Sequence, residues 1–139
     1  VRGVLKNIID NIRRVKNMTV PHPGKPVRGS KSGLPIMALF DLLGRNWAMG
    51  IIWNLQNDST TFRELQQRCE SISPAILNNR IKELREADIV ERTIEGYQLT
   101  QRGKELMELL RPFGEWSRSW SKEVFNYTKP FNNQKKDDK

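Results

Sequence analysis

The chain has 139 residues, of which 37% are apolar and 29% charged, with a formal net charge of +8. That suffices for one compact core and falls short of a membrane span, since single domains run to roughly 100–200 residues and a spanning helix needs about 20 consecutive apolar ones. A single cysteine, Cys69, and a single histidine, His22, exclude an internal disulfide and leave no cluster of soft ligands for a metal, so neither metal nor cofactor is expected.

Residues 1–17 place Val1, Val4, Leu5, Ile8, Ile9, Ile12 and Val15 at helical spacing among Lys6, Arg13, Arg14 and Lys16. This spacing predicts an amphipathic helix that needs a partner surface. Charges interrupt it every few residues, so it lacks the apolar centre of a secretion signal, and a soluble, cytoplasmic protein is expected. Residues 18–33, MTVPHPGKPVRGSKSG, read as a basic linker, because proline fixes φ and removes amide donors. The domain proper is expected over residues 34–125, and a polar, disordered tail over 126–139. Net charge divides among residues 1–33, 34–125 and 126–139 as +7, −1 and +2, so the cationic excess sits in the N-terminal arm. Such an arm suits phosphates, although a charge excess alone equally describes a solvated face.

Within 34–125, PIMALFDLLG predicts a short helix stopped near Gly44, and NWAMGIIWNL a second, with Trp47, Ile51, Ile52 and Leu55 on its apolar stripe. In TFRELQQRC, Thr61 and Glu64 have the spacing of a reciprocal capping box, so a helix starts at Phe62. After the break ESIS, Ser73 followed by Pro74 starts the next helix: serine accepts an orphan amide, and proline at the first helical position loses no useful donor. ADIVERTIEGYQLT then changes period, with two short β-favouring runs around Glu95-Gly96, the mark of a small hairpin. Thr100 caps a long final helical stretch in which Pro112 is expected to kink or restart the helix. Its stripe (Leu106, Leu109, Leu110, Phe113, Trp116, Trp120, Val124) outruns what one small domain covers, which points to a partner interface.

Three helices, a turn, a fourth helix, a hairpin wing and a last helix make a mainly α fold of winged helix-turn-helix type, in which the second helix of the pair lies in the major groove. With Leu77, Ile81 and Leu84 as the buried seam, Ala75, Asn79, Lys82 and Glu86 point the other way and Asn78 lies on the flank. Asparagine can pair bidentately with adenine and alanine can meet a thymine methyl, so Ser73, Ala75, Asn78 and Asn79 are the candidate base readers. Thr61, Arg63, Arg80, Lys82, Arg92 and Tyr97 are candidate phosphate contacts; Arg28 and Lys31 are either a candidate minor-groove arm on a flexible segment or only a tether for the extra helix, two readings of equal weight. On an isolated helix a polar face would be plain solvation; the surrounding architecture favours DNA.

Four marks in order, LFDLLGRNW, TFRELQ, SPAILNNRIKEL and YQLTQRGKEL, resemble the HxlR-type branch of the MarR-related transcription regulators, over roughly residues 34–120. The resemblance implies a homodimer joined through the first and last helices of the domain, with Leu39, Leu106, Leu110, Phe113, Trp116 and Trp120 as interface residues, bound to double-stranded DNA at an operator palindrome. Members that sense aldehydes, disulfide stress or quinones carry a cysteine immediately before the proline of the first helix. Here Leu34 precedes Pro35, so that sensing chemistry is not inherited, and Cys69 is expected to be a buried small hydrophobe.

Catalysis finds no support: the sole histidine lies in the proline-rich linker, and no nucleophile motif or phosphate-cradling glycine loop is present. A winged-helix module that binds protein instead of DNA remains the alternative, favoured by the near-neutral charge of residues 34–125. A small-molecule effector between subunits, lined by Trp47, Trp53, Trp116 and Trp120, competes with the expectation that these tryptophans are plain core.

Overall fold

The structure is a computed structural model that describes residues 2–16 and 20–129; the side chains of residues 10–16 lie outside that description, as do Val1, residues 17–19 and the expected polar tail from residue 130 onward. Among the described residues the order is α1 (Arg2–Lys16), α2 (Pro35–Leu43), α3 (Ala48–Asn54), α4 (Phe62–Arg68), α5 (Pro74–Glu86), β1 (Val90–Thr93), β2 (Gly96–Leu99) and α6 (Gln101–Phe125). This is a winged helix-turn-helix fold. Helix α1 forms where the apolar spacing predicts it, with Val4, Leu5, Ile8 and Ile9 exposed. No helix among the described residues is long and apolar enough to cross a membrane.

The core gathers a stripe from each element after α1: Ile51 and Ile52 of α3, Leu65 of α4, Leu77 and Leu84 of α5, Leu99 of β2 and Met107 of α6 are almost wholly buried, with Leu42 and Leu43 of α2 and Val90 of β1 beside them. Each fully buried aliphatic side chain contributes about 1.5–3 kcal/mol of transfer free energy, so this cluster drives the collapse. Helix ends follow local chemistry. Thr61 Oγ1 accepts the Glu64 amide at 3.2 Å, Ser73 Oγ accepts the Ile76 amide at 3.2 Å and Thr100 Oγ1 accepts the Gly103 amide at 2.9 Å. Of the Thr61–Glu64 capping box, only the threonine half forms.

Four expectations need correction. Helix α3 begins at Ala48, and Trp47 stands outside it in the left-handed region (φ 69°), its ring against Gly50. Helix α6 runs through Pro112 without interruption. Pro112 and Glu108 are both exposed, so solvent can serve the carbonyl that the proline leaves without a donor. In the wing, Thr93 pairs with Gly96, so the two-residue loop is Ile94-Glu95 and the glycine belongs to the strand. There it has φ 138° and lies against the Thr60 carbonyl, where a Cβ would collide. That close approach lets Thr60 and Tyr97 exchange amide-to-carbonyl bonds of 2.8 Å in both directions, a single bridge that ties the wing to the start of α4.

The fourth correction concerns residues 20–33, which form a clasp instead of a free linker. Val20 is buried in the core, Gly24 donates to the Gly33 carbonyl at 2.8 Å, Val27 bridges Ser30, and the Arg28 amide donates to Asp41 Oδ2 at 3.0 Å.

Gly103 sits where the start of α6 crosses the Ile89 carbonyl, and a Cβ there would strike that oxygen. Gly103→Ala is therefore expected to destabilise the protein by at least about 2 kcal/mol in urea unfolding, the scale of overpacking against unyielding neighbours. Gly3→Ala, with open space around its Cα, serves as the neutral control.

Candidate nucleic-acid interface

Helices α4 and α5 are joined by Cys69–Ser73, in which Glu70 and Ser71 both adopt left-handed backbone (φ 57° each). Two consecutive non-glycine residues in that region carry strain, and local bonds hold them: the Ser71 amide donates to the Gln66 carbonyl and Gln66 Nε2 to the Ile72 carbonyl, both at 2.9 Å. This turn sets the angle at which α5 leaves α4. Leu77, Ile81 and Leu84 then bury one face of α5, as the helical period predicts.

Opposite that seam, Ser73, Ala75, Asn78, Asn79 and Lys82 are exposed. The side-chain amides of Asn78 and Asn79 make no hydrogen bond among the described residues, so their donors and acceptors face outward unused. Ile76 is also exposed, at 40%, an apolar contact that the seam argument had passed over because it lies one position from Leu77. Glu86, expected on the same wet face, instead turns inward and is partly buried against the clasp and α2.

The cations divide sharply. Arg80, a candidate phosphate contact from the sequence, is committed within the fold: Nη1 contacts both Glu83 carboxylate oxygens at 3.1 Å and Nε donates to the Asn46 carbonyl at 2.9 Å. Arg45 Nη1 meets the same carboxylate at 2.9 Å, and Arg45 Nε reaches Asp41 at 3.7 Å. By contrast Arg63, Lys82, Arg85 and Arg92 are exposed and form no ion pair among the described residues. Lys82, Arg85 and Arg92 line one open cleft between α5 and β1. Arg85 was missed from the sequence, although its place three residues after Lys82 puts both on one side of the helix.

The remaining site residues fall around this face. Thr61 is exposed at the start of α4, Arg92 is exposed opposite Tyr97 in the wing, and Tyr97 packs partly buried against the core. Ile94 stands fully exposed at the wing tip. Arg28 and Lys31 are exposed on the clasp, where the Arg28 backbone is tied to Asp41, so they do not ride on a free segment.

A family model described as HxlR-like helix-turn-helix matches residues 42–125. The chain belongs to the HxlR-like helix-turn-helix family. It is a transcriptional regulator with a helix-turn-helix DNA-binding domain. The chain is 30% identical over 87 residues to the uncharacterized HTH-type transcriptional regulator YvaP of Bacillus subtilis (strain 168), a match spanning 58% of this chain and 81% of YvaP. Its fold is similar to the crystal structure of quinone-bound YodB from B. subtilis, with TM-score 0.57, 32% identity, and coverage of 60% of this chain and 96% of that one. A structure from Thermoplasma volcanium GSS1, described as a possible HxlR family transcriptional factor, aligns at TM-score 0.56 and 32% identity, over 63% of this chain and 85% of that one.

In this HxlR-like regulator the outer face of α6 is unlike a core. Phe113, Trp116 and Trp120 are exposed, Trp116 and Trp120 stack at 6.0 Å, and Phe125 meets Trp120 edge-on at 5.1 Å. Trp53, 47% exposed, lies beside Gly114 of the same helix. Of the tryptophans expected as plain core, only Trp47 packs against it. Leu39, Leu106 and Leu110 are partly buried at its border.

Cys69 is fully buried at the end of α4, and burial pushes its thiol above the ordinary value, with the negative charge of Glu70 adding to the rise. A thiol kept protonated and covered is a poor nucleophile. An aromatic disulfide reagent at pH 8 is expected to label Cys69 only as fast as the protein unfolds, with full labelling in urea; rapid labelling of the folded protein would contradict the assignment.

Proposed function

We propose that this regulator is a cytoplasmic homodimer that lays α5 in the major groove of a palindromic operator. The observation that carries this reading is the paired asymmetry of α5: one face buried on Leu77, Ile81 and Leu84, the other offering Ala75, Asn78 and Asn79 without internal partners. In the helix-turn-helix docking mode, N-terminal residues of the recognition helix meet base edges. Asn79 and Asn78 are the adenine readers, Ala75 and Ile76 can meet thymine methyls, and Ser73 stands at the groove entrance. Lys82, Arg85 and Arg92 flank the groove as phosphate contacts, joined by Thr61, Arg63 and Tyr97, while Arg28 and Lys31 lie on the clasp for an adjacent stretch of backbone. Arg80 leaves this set, because its guanidinium orients α5 from inside.

The exposed aromatics of α6 support dimerisation. A patch of stacked indoles left in water is unfavourable, and a second copy of the same surface covers it in a closed, two-fold arrangement. A palindromic site then follows from the two-fold axis. YodB has been captured with a quinone bound; in this chain Leu34 occupies the position where the resemblance places a sensing thiol, so no quinone adduct is proposed there.

Fragments of the source genome retained by the protein supply the operator for the test. The double variant Asn78→Ala/Asn79→Ala is expected to lose at least about tenfold of its preference for operator over random DNA, the scale of a lost bidentate contact. Lys82→Ala should instead weaken all DNA alike and reduce the salt slope by about one. In solution, Trp120→Glu should convert a micromolar dimer to monomer. Unchanged preference in the double asparagine variant would refute the base-reading face, and absence of any salt-dependent DNA binding would favour a protein-binding module.

A further inference from the structure

Away from the DNA-facing side, the clasp closes over a cavity of about 360 Å³ between α2, the end of α5 and the start of α6. Val20, Pro21, Ala38, Leu42 and Ala87 give it a largely apolar wall. Two of its lining residues break that pattern. His22 Nε2 and Glu86 Oε2 are buried, and neither has a hydrogen-bond partner among the described residues. Native interiors leave few such atoms unmet, because an unpaired buried polar group is unfavourable, and a desolvated carboxylate oxygen more so. Arg102 also lines the cavity; its Nε lies 3.1 Å from Asp88 Oδ2, and it forms no ion pair with Glu86 among the described residues.

We propose that this cavity is a binding site for a small, mainly apolar amine, with Glu86 Oε2 as the anchor for its ammonium group and the clasp as its lid. The volume lies in the range of small-molecule sites, roughly 300–1,000 Å³. A carboxylate accepts hydrogen bonds and attracts a cation, whereas a carboxylate or phosphate ligand would meet repulsion. An ammonium N–H can also donate to His22 Nε2 when the neutral imidazole carries its proton on Nδ1. Val20, Pro21 and His22 precede the segment matched by the family model, residues 42–125. Because Glu86 is the last residue of α5, occupancy is expected to alter DNA affinity; that consequence rests on the proposed function, whereas binding itself does not.

Calorimetric titration of the full chain, without DNA, compares 2-phenylethylamine with 3-phenylpropionate, probes of similar apolar body and opposite charge. The amine is expected to bind saturably, to shift backbone resonances of residues 20–23, 38 and 86–87, and to bind at least about tenfold more weakly to Glu86→Gln, as loss of a charge-assisted contact requires. Glu86→Gln keeps the shape of a side chain whose Oε2 has no partner among the described residues, so its melting temperature should not fall. Equal binding of both probes, unchanged amine affinity in Glu86→Gln, or no binding of either at millimolar concentration would overturn the site; the last outcome means that water or another segment of the chain fills it. Amine binding with unaltered DNA affinity would overturn only the coupling.

Discussion

Placing a carboxylate on the inner side of helix α5 is unfavourable unless its oxygens are met, and here the Glu83 carboxylate, in a residue only 8% exposed, is met by Arg45 and Arg80 together. Breaking a buried ion pair by removing one partner costs about 3–5 kcal/mol, and here two arginines share the carboxylate. Its structural value lies in direction. The seam of Leu77, Ile81 and Leu84 holds α5 against the core but tolerates small rotations, because apolar contact is non-directional. Guanidinium–carboxylate contacts are not so permissive. Arg80 reaches from α5 to the Asn46 carbonyl, and Arg45 reaches from the α2–α3 connection to α5, so the helix is pinned to the same short loop from both sides. The exposure of Asn78 and Asn79 is a consequence of that rotational setting.

The same set of charges extends to the clasp. Arg45 contacts Asp41, and Asp41 accepts the Arg28 amide, so the segment bearing Arg28 and Lys31 is joined through three residues to the helix bearing the asparagines. The clasp also walls the cavity that Glu86 lines. Two acidic residues of α5, three positions apart, thus have different surroundings: Glu83 is met by two arginines, and Glu86 has an oxygen without a partner among the described residues.

Much of the fold could be read from local sequence chemistry. Ser73-Pro74, Thr61 and Thr100 announced their helices because caps act within three residues, and the period of Leu77, Ile81 and Leu84 identified the buried face of α5. What escaped depends on contacts distant in sequence. Arg80 looked like a surface cation because Asn46 lies 34 residues away. Gly96 looked like a turn residue because the Thr60 backbone that requires it belongs to another element. Pro112 looked like a break, since nothing in the sequence states that its side of α6 faces solvent, and Trp53 looked like core because large aromatic side chains are highly buried on average. The clasp was hidden by its own composition: proline and glycine suit an ordered turn-rich segment as well as a free one.

The central claim is that the Glu83 clamp sets the orientation in which α5 presents its asparagines, and amide hydrogen exchange tests it most directly. In Glu83→Gln, which keeps the shape and removes the charge, amides of residues 77–86 should exchange at least about tenfold faster than in the parent protein while those of residues 103–110 in α6 keep their protection, as expected for local loosening. Identical protection along α5 in the two proteins would contradict it.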